Sequence, residues 1–154
     1  MPTHAEQRLL PYTPEQLFEL VAAVDKYPEF LPWCIGARVN SRKDDVILAD
    51  LIIGFKMFRE KFTSRVTLNQ EKMRIDVEYM DGPFRYLNNH WIFEPHSDGC
   101  NIDFFVDFEF KSMLLQKTIG MLFNEAVLRM IAAFEARAHD LYTSVETPSS
   151  DTVV

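Results

Sequence analysis

The side chains that could carry out chemistry are few and scattered in this sequence. The four histidines, His4, His90, His96 and His139, lie in separate segments, and none has a metal-like spacing to another His, Cys or carboxylate. The sequence also contains no glycine-rich phosphate loop and no nucleophile elbow. We therefore expect a protein that is not an enzyme and that has no catalytic residues, no metal and no cofactor.

The remaining reactive groups have ordinary structural explanations. Asp103, Asp107 and Glu109 alternate along one predicted strand and face solvent, whereas paired catalytic carboxylates would need a cleft. The two cysteines, Cys34 and Cys100, indicate no disulfide framework, so we expect buried free thiols.

Two polar side chains are predicted on the inner face of the sheet. Asn89 shares the phase of Trp91 in its strand, and a buried amide requires hydrogen-bond partners. These partners are either structural or supplied by a ligand. Tyr79 combines an apolar ring with a hydroxyl that could meet a polar head group.

The stretch from Ser112 to Tyr142 is the element that must position these groups. Apolar residues recur there at helical spacing, and the opposite side is polar, so one face is buried against something large. Gly120 lies inside this predicted helix and indicates a bend or a close approach to the sheet.

The segments before this helix predict one strand, two short helices and about six antiparallel strands. Residues 3–10 form the first strand, and Thr13 with Gln16 gives a capping box that starts a helix running to about Val24. A second short helix follows through Phe30. Period-two alternation then continues to Phe110. We therefore predict an α+β fold in which a curved antiparallel sheet holds the long helix across its concave face.

Composition is consistent with one domain and restricts its partners. The chain has 154 residues, which we divide into a domain over 1–142 and a disordered tail over 143–154. A net charge of −7 disfavours a strongly electrostatic nucleic-acid binder, so we expect no DNA binding. We find no signal peptide and no apolar run long enough to span a membrane, so we expect a cytoplasmic protein.

Six motifs occur in order along the chain: Asp25-Lys-Tyr-Pro-Glu-Phe-Leu-Pro-Trp-Cys34, Phe62-Thr-Ser-Arg-Val66, Asp81-Gly-Pro-Phe84, Trp91-Ile-Phe-Glu-Pro95, Phe108-Glu-Phe110 and Ala133-Phe-Glu-Ala-Arg137. Together they resemble the coenzyme Q-binding START-domain family, which is similar to the polyketide cyclase-like helix-grip proteins. The resemblance implies a helix-grip fold of about six to seven strands. It also implies binding of ubiquinone as a ligand in an apolar tunnel, in support of respiration or quinone biosynthesis, without known catalysis.

A sister group offers an alternative function. The bacterial ribosome-association toxin resembles this chain at Tyr27-Pro28 and at Asp81-Gly82-Pro83-Phe84, and it implies binding to the large ribosomal subunit. Trp33-Cys34 and Phe62-Thr63-Ser64 are closer to the quinone-binding branch. A polyketide cyclase-like enzyme is a third possibility, which the missing catalytic set disfavours.

The quinone hypothesis assigns an apolar pocket wall to both the sheet and the helices. The predicted wall residues are Phe30, Leu31, Trp33, Phe58, Phe62, Tyr79, Trp91, Phe104, Phe108, Leu122, Phe123, Val127 and Met130. The rim would consist of Tyr27–Trp33 and the hairpin tip Gly54–Met57, which would open to load the ligand. We expect transient contact with a membrane surface there, peripheral at the inner membrane.

Overall fold

The predicted order of strands and helices is present in the structure, a computed structural model that describes residues 3–55, 58–120 and 123–142. The strands are β1 (Thr3–Leu10), β2 (Cys34–Lys43), β3 (Val46–Phe55), β4 (Phe58–Asn69), β5 (Arg74–Asp81), β6 (Phe84–His96) and β7 (Gly99–Phe110). The helices are α1 (Pro14–Ala22), a 3-10 helix (Val24–Glu29), α2 (Met113–Gly120) and α3 (Phe123–Leu141).

The strands form one curved antiparallel sheet in the order β1-β7-β6-β5-β4-β3-β2. The fold prediction is therefore confirmed. The predicted tail 143–154 and part of the β3–β4 tip, Lys56 and Met57, lie outside the described residues.

The start of α1 follows the sequence prediction. The Thr13 hydroxyl accepts a hydrogen bond from the Gln16 backbone N–H at 3.1 Å, and the Gln16 side chain accepts one from the Thr13 N–H at 3.0 Å. Two backbone donors at the helix end are thus satisfied reciprocally. Tyr12 and Leu17 are both buried beside this capping box, as a hydrophobic staple requires.

The inner face of the sheet carries the core. Alternation places Ile75, Trp91, Phe93 and Phe104 inward, and each is at most 5% exposed. The prediction of which side chains of β5 to β7 point inward is therefore confirmed at these positions.

The C-terminal helices cross this inner face from the end of β7 towards α1. At one end, Ser112 has the capping role that Thr13 has in α1: its hydroxyl accepts a hydrogen bond from the Leu115 N–H at 3.2 Å. At the other end, Phe134 of α3 lies 5.1 Å from the Trp91 ring centroid. Both described parts of the predicted 112–142 helix are helical. Residues 121–122, next to Gly120, lie outside the described residues, so the bend or close approach expected at Gly120 stays a prediction.

Candidate functional site

The inner face of β5 and β6 contains a patch that the helices do not fully cover. Val77 and Tyr79 of β5, with Leu87 and Asn89 of β6, point inward from neighbouring strands and are only half-buried. One step along the same strands, Ile75 is fully buried and Trp91 is 5% exposed. The space above Val77, Tyr79, Leu87 and Asn89, here called the inner-face patch, is therefore less filled than the space beneath Phe134.

Aromatic clusters bound the inner-face patch at both ends. At the end near α2, the Phe84 ring lies 5.6 Å from Phe62, 5.5 Å from Phe108 and 4.8 Å from Phe110. At the end near α1, Phe134 packs on Trp91. The patch thus lies between two groups of packed rings.

The two polar members of the inner-face patch have different roles. Asn89 donates from Nδ2 to the Phe105 carbonyl at 2.8 Å and accepts from Trp91 Nε1 at 3.2 Å. Of the two roles considered for this amide, the structural one is therefore confirmed. The Tyr79 hydroxyl oxygen accepts a hydrogen bond from the Phe84 backbone N–H at 3.1 Å. This bond does not use the hydroxyl proton of Tyr79, which can still be donated to an acceptor.

The buried side of α3 is apolar. Val127 is 7% exposed and Met130 is half-buried against the core. Leu122 lies outside the described residues, and the side chains of Phe58 and Phe123 are likewise not described.

The remaining predicted wall residues lie in distinct places. Phe62, Trp91, Phe104 and Phe108 are buried on the sheet. Phe30 and Leu31 are half-buried and pack against the core from the segment after the 3-10 helix. Trp33 is half-buried in a left-handed conformation with φ 67°, and its carbonyl accepts from the Gly54 N–H at 2.8 Å. This bond joins the two segments predicted to form the rim.

A separate enclosed cavity lies between β1, α1 and α3. Its volume is about 20 Å³, which is room for about one water molecule and not for an isoprene unit. Its walls are Glu6, Arg8, Leu10, Leu17, Leu20, Val21, Trp91, Ile102, Phe104, Ile131, Phe134 and Glu135. Trp91 and Phe104, two of the predicted wall residues, border this small cavity.

Sequence reasoning assigned no role to the inward polar side chains of β1. Arg8 lies 2.8 Å from Glu6 and 3.1 Å from Glu135 of α3, and His4 lies 3.1 Å from Glu6. These contacts link the edge strand to the helix. The sequence pattern that indicates this polar inner face is the alternation of His4, Glu6 and Arg8 ahead of Leu10 in β1.

Both cysteines are buried free thiols, as expected. Burial is the main cause that raises the pKa of Cys34, and it raises the pKa of Cys100 to about 12 with smaller contributions from Glu15 and Glu94. Neutral thiols in this state are poor nucleophiles. Within the described residues, no group of three or more His, Cys, Asp or Glu side chains could hold a metal ion. In that same part of the chain, no helix is both long and apolar enough to cross a membrane.

Comparison with known proteins gives both relatives and shared folds. The ribosome association toxin RatA of Rickettsia prowazekii is 42% identical over 137 residues, covering 87% of this chain and 94% of that protein. The mitochondrial coenzyme Q-binding protein COQ10 homolog B of Xenopus laevis is 34% identical over 150 residues, covering 94% of this chain and 61% of that protein.

Solved structures agree with the observed architecture. The 18 kDa protein CC1736 of Caulobacter crescentus is 44% identical with a TM-score of 0.75, covering 92% of this chain and 98% of that one. The Zhui aromatase/cyclase of Streptomyces sp. R1128 shares the fold at 11% identity and a TM-score of 0.79, covering 90% of this chain and 93% of that one. The family described as polyketide cyclase/dehydrase and lipid transport matches residues 10–135. The chain therefore belongs to the polyketide cyclase/dehydrase and lipid-transport family, and its relatives include both RatA and a coenzyme Q-binding protein.

Proposed function

We propose that this protein binds an isoprenoid quinone, ubiquinone, in the space between the inner-face patch and the N-terminal half of α3. The observation that carries this proposal is the half-buried state of Val77, Tyr79 and Leu87 in the middle of a sheet whose neighbouring inner residues are sealed. The family includes lipid-transport proteins, and the Xenopus relative is named as a coenzyme Q-binding protein.

The apolar surroundings suit the quinone tail. Each methylene removed from water contributes about 0.8 kcal/mol, so one five-carbon isoprene unit contributes on the order of 4 kcal/mol. The rings of Phe62, Phe84 and Phe108 provide a rigid boundary at the α2 end. Affinity would therefore depend mainly on how much tail the recess accepts.

The head group requires a polar contact, and Tyr79 is the candidate. Its hydroxyl oxygen is held by the Phe84 N–H, which orients the phenol without using its proton. A quinone carbonyl placed beside it would accept that proton in a hydrogen bond. Asn89 is less suited, because both ends of its amide already have partners at 2.8 and 3.2 Å.

Organic extraction and mass spectrometry of freshly purified protein would test the proposal. We expect ubiquinone in the wild-type extract. Val127→Trp should lose it, because the indole would occupy the recess, whereas Ala136→Trp on the exposed side of α3 should retain it. Equal quinone in all three proteins would show that the ligand does not lie beneath Val127.

Ribosome association is the second candidate, and a specific finding favours it: the Rickettsia relative named as a ribosome association toxin is 42% identical across nearly its whole length. Sucrose-gradient profiles of cells overproducing this chain would separate the two candidates. Loss of joined ribosomes, together with extracts free of quinone, would favour ribosome association. Normal profiles with bound quinone would favour the carrier.

We propose a binding function without catalysis. The two named relatives are a toxin and a coenzyme Q-binding protein, although an aromatase/cyclase shares the fold. A turnover of aromatic polyketide substrates that disappears in Tyr79→Phe would contradict this part of the proposal.

A further inference from the structure

The outer face of the sheet is divided by charge. On β2 to β4 it carries cations, which are Arg38, Lys43, Arg59, Lys61 and Arg65. On β5 to β7 it carries acids, which are Asp76, Glu78, Glu94, Asp103, Asp107 and Glu109. In a chain with a net charge of −7, the cations of β2 to β4 form a concentrated positive region, here called the basic face.

Among the described residues, most cations of the basic face form no salt bridge. Arg65 pairs with Glu78 of β5, but in the described part of the chain no ion pair engages Arg38, Lys43, Arg59 or Lys61. In the acidic half, by contrast, Arg74 pairs with Asp76 at 3.0 Å and Arg85 with Glu109 at 3.4 Å. The unpaired cations are therefore available to an external anion.

The one carboxylate inside the basic face is already engaged. Asp50 accepts a hydrogen bond from the Thr63 hydroxyl at 2.6 Å. That bond, a second from Asn40, and the nearby charges of Lys61 and Arg38 hold the pKa of Asp50 below its usual value. Asp50 remains ionised and leaves an excess of positive charge on this face.

Aliphatic side chains lie among these cations. Ile52 and Gly54 alternate with the inward Leu51 and Ile53, so they face outward, opposite Lys61 and Arg59 of β4. The aliphatic surface continues into β2, where Ile35 packs over Gly54. A Cβ added to Gly54 would lie 3.1 Å from Cδ1 of Ile35. Ile35 is nevertheless 48% exposed. Cations beside exposed aliphatic groups match a lipid surface, which offers phosphates and hydrocarbon together.

We propose that the basic face docks this protein onto the surface of an anionic phospholipid bilayer. The inference rests on the proposed quinone-binding function and names the surface from which the ligand is loaded. The basic face adjoins the predicted rim, because the Gly54 N–H is bonded to the Trp33 carbonyl at 2.8 Å. Anionic lipid repels the acidic half of the sheet. The outer face of β2 to β4 would therefore contact the bilayer, and the rim would lie next to the lipid surface.

An RNA partner is the competing explanation for a positive surface. Proteins that bind single-stranded RNA combine cations with exposed aromatic rings on which bases stack. Among the described side chains of the basic face, the apolar members are all aliphatic: Ile35, Val46, Leu48 and Ile52. This composition favours lipid, and RNA binding becomes one outcome of the test.

Vesicle flotation tests the proposal with the full chain. Phosphatidylcholine vesicles would be compared with vesicles that also contain phosphatidylglycerol, at low and high salt. We expect binding to the anionic vesicles alone, weakened by salt. Arg38→Gln combined with Lys61→Gln should lower the partition coefficient about 25-fold, since each cation near an anionic surface contributes about fivefold. Lys72→Gln combined with Lys117→Gln removes the same charge from exposed sites elsewhere and should retain binding.

The outcomes separate docking from quinone binding. The basic-face double variant should still bind a soluble short-tailed ubiquinone, and Val127→Trp should still bind anionic vesicles. Equal losses in the basic-face and control double variants, or no binding to anionic vesicles, would overturn the docking proposal. Binding to ribosomal RNA that the basic-face variant alone loses, without vesicle binding, would assign this face to RNA instead.

Discussion

Replacing Val127 by Trp would distinguish an open recess from a filled core. Val127 is 7% exposed on α3, above the sheet that carries the inner-face patch. If a quinone tail occupies this space, the indole excludes about one isoprene unit, worth on the order of 4 kcal/mol. The dissociation constant for a short-tailed ubiquinone should then rise on the order of a thousandfold.

The stability of the same variant gives an independent measure. A side chain forced into a packed core typically lowers the free energy of unfolding by about 1–3 kcal/mol. In an open recess, urea unfolding should give a value within about 1 kcal/mol of Ala136→Trp, the matched substitution on the exposed face. Isothermal titration calorimetry provides the affinity. A folded variant with unchanged quinone affinity would refute the assigned position, and strong destabilisation would show that the recess is already filled.

Three further predictions concern the framework around the recess. Asn89→Leu should lower the free energy of unfolding by about 1–3 kcal/mol in urea, because buried Trp91 Nε1 loses its acceptor; an unchanged value would contradict this. Gly99→Ala should destabilise more than Gly36→Ala in the same assay, because Gly99 has φ 140° and an added Cβ would lie 2.1 Å from the Leu10 carbonyl oxygen; equal effects would refute it. The Cys100 thiol should lower stability at alkaline pH: its pKa rises from 9.0 to about 12 on folding, so unfolding releases a proton between these values. The free energy of unfolding should therefore fall above pH 9 by up to about 1.4 kcal/mol per pH unit from this group, and Cys100→Ala should remove that part of the slope.

The sequence predicted the elements well because local rules determine them. Thr13 and Gln16 form the expected capping box, and Asp44 takes a left-handed conformation with φ 55° in the turn between β2 and β3. Alternation also gave the inward phase of β4 to β7, since each strand buries one side against the helices.

The site could be predicted only in part, because it depends on where the helix covers the sheet. Trp91 and Val77 share the inner face, and their sequence context does not distinguish them. Phe134 seals Trp91, whereas Val77 remains half-buried two rows from it. That difference follows from the position of α3, a long-range property that period-two alternation does not encode. Whether the thirteen predicted wall residues contact a ligand stays a prediction.

The polar inner face of β1 was missed for a related reason. His4, Glu6 and Arg8 alternate as expected for a strand. They are polar, however, and the inward side of a strand is normally recognised by its apolar residues. Their burial becomes favourable only because Glu135 of α3, 127 residues away from Arg8, supplies the partner charge.

Methyl NMR during titration with a short-tailed ubiquinone tests the central claim most directly. With isotope-labelled Leu and Val methyl groups, we expect shifts for Val77, Leu87 and Val127, and none for Leu17 and Leu20 beside the 20 Å³ cavity. Saturation of these shifts would place the quinone in the recess above β5 and β6. Shifts confined to Leu17 and Leu20, or no change in any methyl signal at saturating quinone, would contradict the account.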